Sequence, residues 1–366
     1  MNQNEEKLGT APVGKLLFEL ALPAIAAQIV NLLYNVVDRI YIGHIPEVGA
    51  AALTGLGIAF PIIILIAAFS ALFGFGGAPR AAIEMGRGNH DRAEEILGNS
   101  LFALLVSGGI LSVIFFIFGD TFLYLFGASE DTIGYASGYL HIYVLGSVFV
   151  LITTGMNAFI TSQGFARMAM FTTLIGAGLN IVLDPVFIFG FRMGVKGAAL
   201  ATILSQAVSA AWVLKFLFSD RTVLKIRPRN LRIRFRVIAP VMALGVSPFI
   251  MQSTESLISV CFNTSLQKYG GDVAVGSMTI MASLMQAVMM PLQGLTQGMQ
   301  PIISYNYGAS RLDRVKRAFM LTLCSCVLYT VAVWLMIQIY PQVFARIFST
   351  DQELIDYCAW ALRVYF

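Results

Sequence analysis

Asp38, Asn180, Asp184 and Glu255 are polar or acidic side chains set in otherwise apolar stretches, and they carry the chemistry this chain can do. A carboxylate at the centre of a bilayer costs about 2.5–3.5 kcal/mol on insertion scales, so each such acid calls for a function or a partner. Gln28, Asn31, Asn35 and Asp38 recur at spacings of three, four and three, which is one face of a helix. That stripe must look into a bundle or a wet cavity. The plainer alternative for Asp38 is an interfacial ion pair with Arg39, although sequence neighbours point to different helix faces. Asn180 and Asp184 lie four apart and Pro185 follows. Proline lacks an N–H and clashes with the carbonyl four residues back, here that of Ile181. A freed carbonyl beside a carboxylate and an amide suits a small hard cation or a caged proton. A helix-end cap is the other reading of this group.

Glu255 is flanked by Gln252, Ser253, Ser256, Ser259 and Asn263. It fits a second ion site, a counter-charge for cationic cargo, or a hydrogen-bonded glutamate between helices. Further on, Gln286, Gln293, Gln297 and Gln300 follow helical spacing, and so do Met278, Met281, Met285 and Met289. Four amides against lipid would be costly, so the glutamines mark a wet face. The methionines read as an adaptable binding surface or as lipid-facing packing.

Membrane helices must hold these side chains. The 366 residues are 57% hydrophobic and 12% charged, with a mean hydropathy of +0.77. Soluble domains carry about 25% charge, which excludes a soluble α protein. Stretches long enough to span a bilayer predict helices at roughly 16–43, 51–78, 96–118, 132–162, 166–190, 195–218, 237–265, 273–304 and 316–340, with another starting near Leu354. Cys261, Cys324, Cys326 and Cys358 lie in apolar segments and read as packing residues. His44, His90 and His141 are scattered, so neither metal-ligand nor nucleophile spacing supports a membrane enzyme.

The chain also reads itself twice at an offset of 222: Pro79 falls on Pro301, Gly86 on Gly308, Asp91-Arg92 on Asp313-Arg314 and Tyr135 on Tyr357. Shared hydrophobicity would match Leu with Ile anywhere, but it would not align Gly, Pro and Asp-Arg. Aligning Pro23 with Pro248 gives a local offset of 225, which sets Asp38 against Asn263. Two homologous membrane halves are the mark of secondary transporters, which bind cargo between the repeats. The expected units are a first lobe at 1–220, a basic linker at 221–236 and a second lobe at 237–366. The offset places the end of a full second lobe about 75 residues beyond Phe366, so that lobe is expected to be truncated.

Basic residues give the sidedness. With the N-terminus inside, Lys7, Lys15, Arg80, Arg87, Arg92, Arg311 and Arg314 fall on the cytoplasmic side with the Arg221–Arg236 run. The connections at His44–Gly49, Gly119–Asp131 and Ser349–Glu353 carry no Lys or Arg and fall outside; Arg192, Lys196 and Lys268 run against the tendency. The Arg221–Arg236 run reads as a solvated linker or as a site for anionic lipid headgroups.

Leu22-Pro23 with Asp38 following, the run Asn180 to Pro185, and the run Gln300 to Ala309 are together specific. On these residues the whole chain resembles the MATE family of multidrug and toxic compound extrusion antiporters, in the bacterial branch of MepA-like and NorM-like drug exporters. The resemblance implies an all-α integral membrane fold of twelve helices in two pseudo-symmetric six-helix lobes, V-shaped about an axis along the membrane normal. It implies export of amphipathic, mostly cationic compounds in exchange for H⁺ or Na⁺, from the cell inner (plasma) membrane and without a cofactor. The expected partners are small molecules and membrane lipids, not nucleic acid, and the expected state is a monomer. The coupling site would be Asp38, Asn180 and Asp184, with Thr202 as a fourth member and Na⁺ as a candidate occupant. Gln28, Asn31, Asn35, Glu255, Gln286, Gln293 and Gln297 would face cargo, and Pro23 would be where helix bending follows protonation. Glu255 matches one member of the acidic cluster of Na⁺-coupled relatives, whose partner would lie beyond Phe366. A lipid-linked oligosaccharide flippase of the same superfamily is the alternative. It would need basic residues in its cavity, whereas the intramembrane charges here are mainly acidic.

Overall fold

The structure is a computed structural model. It describes the backbone of residues 3–346 and 352–365, and the side chains outside 256–257, 259–280, 282–283, 347–354 and a few isolated positions. Among the described residues every regular element is a helix. A short α1 (Gln3–Thr10) precedes α2 (Val13–Gly43), which contains Pro23 and Asp38. α3 (Gly49–Ser70) continues through a π turn at Ala71–Phe75 into α4 (Gly76–Gly86). α5 (His90–Leu125), α6 (Glu130–Leu145), α7 (Ser147–Ser162), α8 (Ala166–Pro185) and α9 (Val195–Phe218) follow. The remainder is α10 (Phe235–Gly308), α11 (Leu312–Ile339), α12 (Pro341–Arg346) and α13 (Gln352–Tyr365). Among the described residues seven helices are long and apolar enough to cross a membrane, and α6 with α7, bent by 57°, make an eighth when counted as one span.

Four boundaries differ from the sequence pattern. The helix predicted over 132–162 breaks at Gly146, which lies against the side chain of Ile203 with no room for a Cβ. The helix predicted to end at residue 78 runs on to Gly86, and Gly88 with φ of +80° then turns the chain. The helix α1 lies in a stretch too polar to register as a span. The spans predicted at 237–265 and 273–304 are joined in the single element α10. Straight, its 74 residues would measure about 110 Å. Yet Val241 and Gly245 lie against Gly76 and Leu72, while Tyr305 and Gly308 lie against Gly86 and Ile83. Both ends of α10 therefore return to the same neighbours and pack as two segments.

Lipid tails are as apolar as leucine, so close approach of small residues, more than burial of oil, holds such helices together. Between the chain's two halves this packing follows the repeat. Gly86 rests on the backbone of Tyr305, and Gly308 rests on the backbone of Ile83. Residues 83 and 305, like 86 and 308, are 222 apart. In the same pattern Leu72 and Gly76 meet Val241 and Gly245, while Gly294 and Gly298 meet Ile25 and Ala21. A local two-fold axis thus passes between α4 and the end of α10. The contacts gather toward the end that carries Arg87, Arg92, Arg311 and Arg314.

The basic run at 221–236 is docked. The buried Gln163 accepts the N–H groups of Val223 at 2.9 Å and Leu224 at 2.7 Å through its Oε1. The buried Glu94 takes the Lys225 N–H at 3.1 Å and the Arg227 guanidinium at 2.9 Å. Arg234 pairs with Glu95, and its N–H donates to Asn99 Oδ1 at 2.7 Å. Exposed ion pairs contribute little. The buried acceptors Glu94, Asn99 and Gln163 decide the path of the linker, because each would otherwise be left without a donor.

Candidate functional site

Three helices bring the predicted coupling residues together. Asp38 comes from α2, Asn180 and Asp184 from successive turns of α8, and Thr202 from α9; all four are buried. Asn180 Nδ2 donates to Asp184 Oδ1 at 3.1 Å and to Thr202 Oγ1 at 3.3 Å. The carboxyl groups of Asp38 and Asp184 are direct neighbours, although they lie in helices far apart in sequence. Arg39 does not complete the group. Its guanidinium carbon lies 5.3 Å from the centre of the Phe60 ring, and no ion pair joins it to Asp38 among the described residues. Asp184 does not act as a simple cap either: Pro185 closes α8 and leads into a π turn at Val186–Gly190, the kind of widened turn frequent at functional sites.

The cluster is short of donors. Asp38 Oδ1, Asn180 Oδ1 and Asp184 Oδ2 are buried and have no hydrogen-bond partner. An unsatisfied buried acceptor costs about 1–3 kcal/mol, and more when charged. The available ligand atoms are all oxygens, from two carboxyls, an amide and a hydroxyl. That set fits a proton or a hard cation such as Na⁺. Tyr139 reaches Thr202 from α6 and stacks on Tyr143 with ring centres 6.0 Å apart, closing the cluster with aromatic walls.

A cavity of ≈160 Å³ adjoins the cluster, with Asn180 and Thr202 in its wall. From α2 it is lined by Gln28, Asn31 and Tyr34; from α7 by Thr153, Asn157 and Thr161. Thr172 and Thr173 of α8, Ser205, Gln206 and Ser209 of α9, and Gln297 and Gln300 of α10 add further polar groups. Asn157 Oδ1, Ser205 Oγ and Gln206 Oε1 also lack partners.

The predicted cargo residues divide. Gln28, Asn31 and Gln297 line the cavity. Asn35 does not: it is exposed and donates to the Asn31 carbonyl at 2.7 Å, because the turn of α2 presents Tyr34 to the cavity instead. Gln286, Gln293 and Glu255 are exposed and lie outside the lining. Met281 is buried and Met289 exposed, while Met278, Ser256, Ser259, Cys261 and Asn263 fall outside the described side chains. Asn157, Ser205 and Gln206 were not predicted. Thr153, Asn157 and Thr161 recur every fourth residue, a helical stripe that could have been read.

The MatE family model matches residues 23–186 and again 248–366, so its two matches begin at Pro23 and Pro248. Multidrug export protein MepA of Staphylococcus haemolyticus (strain JCSC1435) is 25% identical over 350 residues, covering 96% of this chain and 76% of that protein. The protein of the same name from Staphylococcus aureus (strain MSSA476) is 23% identical over 354 residues, covering 97% and 78%. Among solved structures, the outward-facing conformation of a multidrug resistance MATE family transporter of the MOP superfamily superposes with a TM-score of 0.91 at 24% identity, covering 99% of this chain and 80% of that one. A MATE structure in the straight conformation gives the same TM-score, identity and coverage. At such identities the structures speak for the fold. One family model matches both halves, and the chain therefore belongs to the MatE family of multi-pass membrane transporters.

Proposed function

We propose that this protein is a secondary active antiporter that exports amphipathic, mostly cationic compounds in exchange for inward H⁺ or Na⁺. The observation that carries this reading is the buried group of Asp38, Asn180 and Asp184 with three oxygens lacking donors. Two neighbouring carboxylates in a low-dielectric site do not both stay ionised without a counter-charge. An arriving proton or Na⁺ supplies one, and a cationic cargo nearby competes to supply it. The cavity adds the cargo chemistry: its walls are amides, hydroxyls and apolar groups, and among the described residues no lysine or arginine lines it. A pyrophosphate-linked sugar would find no cationic partner there, which disfavours the flippase reading. The names of the MepA relatives agree with drug export.

In this reading the lobes at 1–220 and from 237 onward are joined by the docked linker at 221–236. They belong to a twelve-helix, two-lobe architecture in the cell inner membrane, and the protein works as a monomer with no cofactor beyond its coupling ion. The basic end is cytoplasmic in this reading, so the backbone contacts between the halves close that side. Neutralisation of Asp38 and Asp184 followed by bending near Pro23 would shrink the cavity and release cargo. The test is the affinity for a lipophilic cation measured across pH and Na⁺ concentration. Linkage requires ion and drug to weaken each other when they compete, so affinity should fall as protons or Na⁺ rise. An affinity indifferent to both would sink competitive exchange. Sidedness is checked separately: single cysteines replacing the partly exposed Ala128 and the exposed Arg232 should label from opposite faces of the membrane. Labelling of both from outside would overturn the orientation.

A further inference from the structure

The basic end holds two features with no part in cargo or ion binding: α1, and the repeated pair Asp91-Arg92 and Asp313-Arg314. α1 lies across both halves. Glu5, 2% exposed, reaches His90 Nε2 at 3.4 Å, and burial pushes its carboxyl above the ordinary range despite that neighbour. At the far end of α1, the carbonyl of Leu8 accepts from Asn306 Nδ2 at 2.9 Å and from Arg314 Nη2 at 3.2 Å. The same Arg314 nitrogen takes the Ala11 carbonyl at 2.7 Å, and Arg311 holds that of Gly9. Arg92 is the repeat equivalent of Arg314. Its Nη2 takes the Arg236 carbonyl at 3.4 Å, in the first turn of α10, while its Nη1 holds Glu95. Each arginine thus crosses to the other half and grips the backbone where that half's first long helix begins.

Proline explains why these carbonyls are available. Within α10 the Arg236 carbonyl would bond the N–H of residue 240, which is a proline, and the Leu8 carbonyl lies in the last turn of α1, where Pro12 just beyond the helix offers no N–H. Both orphaned acceptors are filled from the opposite half. The charges around the two arginines differ. Glu94 and Glu95 pair with Arg227 and Arg234 of the basic linker, whereas their equivalents at an offset of 222, Lys316 and Arg317, are basic and exposed.

We propose that Arg92 and Arg314 are two-fold-related clamps that, with α1 as a strap, hold the basic end closed, and that both must release before cargo enters from that side. The proposal rests on the alternating-access reading above. The test is pulsed EPR on the intact protein in liposomes, with spin labels at Arg232 and Lys316 and a control pair at Asp131 in the first lobe and Arg232 on the linker docked to it. In the unsubstituted protein the reporter pair should show two populations that shift with pH and Na⁺. A single fixed distance there would sink alternating access itself. Arg92→Gln and Arg314→Gln should each raise the ratio of separated to closed populations about tenfold, the scale of one hydrogen bond to a charged group, and more when combined. A rocking protein unmoved by either variant, or moved by one alone, would overturn the clamps. Where an arginine variant disturbs the control pair, Pro240→Ala carries the test, since it returns a helical donor within α10 to the carbonyl that Arg92 grips. The same separation is then expected, and unchanged distances would overturn the proposal.

Discussion

Asp38→Asn abolishes gradient-driven efflux and leaves the protein folded: that is the expected result in inverted vesicles, and Asp184→Asn should behave alike. The side chain keeps its shape but loses the group that takes up a proton or Na⁺. Its new amide N–H can donate to the unpartnered Oδ2 of Asp184, which imitates the neutralised state permanently. Coupling between sites spans about 5–150-fold in affinity, and a variant locked in one state should lose the whole of that factor in ion-dependent drug binding. Stability should move the other way. Supplying a donor to buried acceptors removes part of a cost of about 1–3 kcal/mol, so the variant should melt no lower than the parent protein. Full efflux by Asp38→Asn would remove the residue from the mechanism, and a collapsed melting curve would show the carboxylate to be structural.

How far the sequence reveals this site depends on whether the signal is local. Asn180 and Asp184 are one turn apart on one helix, so their juxtaposition is legible, and so are Gln28 and Asn31 on the cavity side of α2. Asn35 fits the same stripe on paper, but Tyr34 takes its place at the cavity wall. The meeting of Asp38 with Asp184 is a matter of helix packing, and it came through family resemblance rather than through spacing. Ser205 and Gln206 follow Thr202 and precede Ser209 at helical spacing on the cavity face, a stripe in α9 that could have been read beside Thr202. The linker shows the same limit as Asp38. Its arginines look identical whether solvated, lipid-bound or docked, and the acid that settles the matter for Arg227 is Glu94, 133 residues earlier. The two-fold contact, by contrast, was visible in advance as an alignment of Gly86 with Gly308.

That alignment makes a second large effect predictable. Gly86→Val and Gly308→Val should each impair transport about tenfold or more, and the two losses should be alike. A Cβ on Gly86 would run into the backbone oxygen of Tyr305, and one on Gly308 into that of Ile83. Overpacking costs about 1–3 kcal/mol where flexible side chains can yield. Here the obstacle is backbone on both sides, so relief comes only from separating the halves, and the closed basic end is what each variant loses. Gly109→Val is the control, because that glycine is exposed and has open space around it. Transport assays in proteoliposomes, read with the Arg232–Lys316 distance, check all three. If only one of Gly86 and Gly308 proves sensitive, the contact is not functionally two-fold. If Gly109→Val is as damaging as either, the loss reflects added bulk in a membrane helix and the closed interface is not its cause.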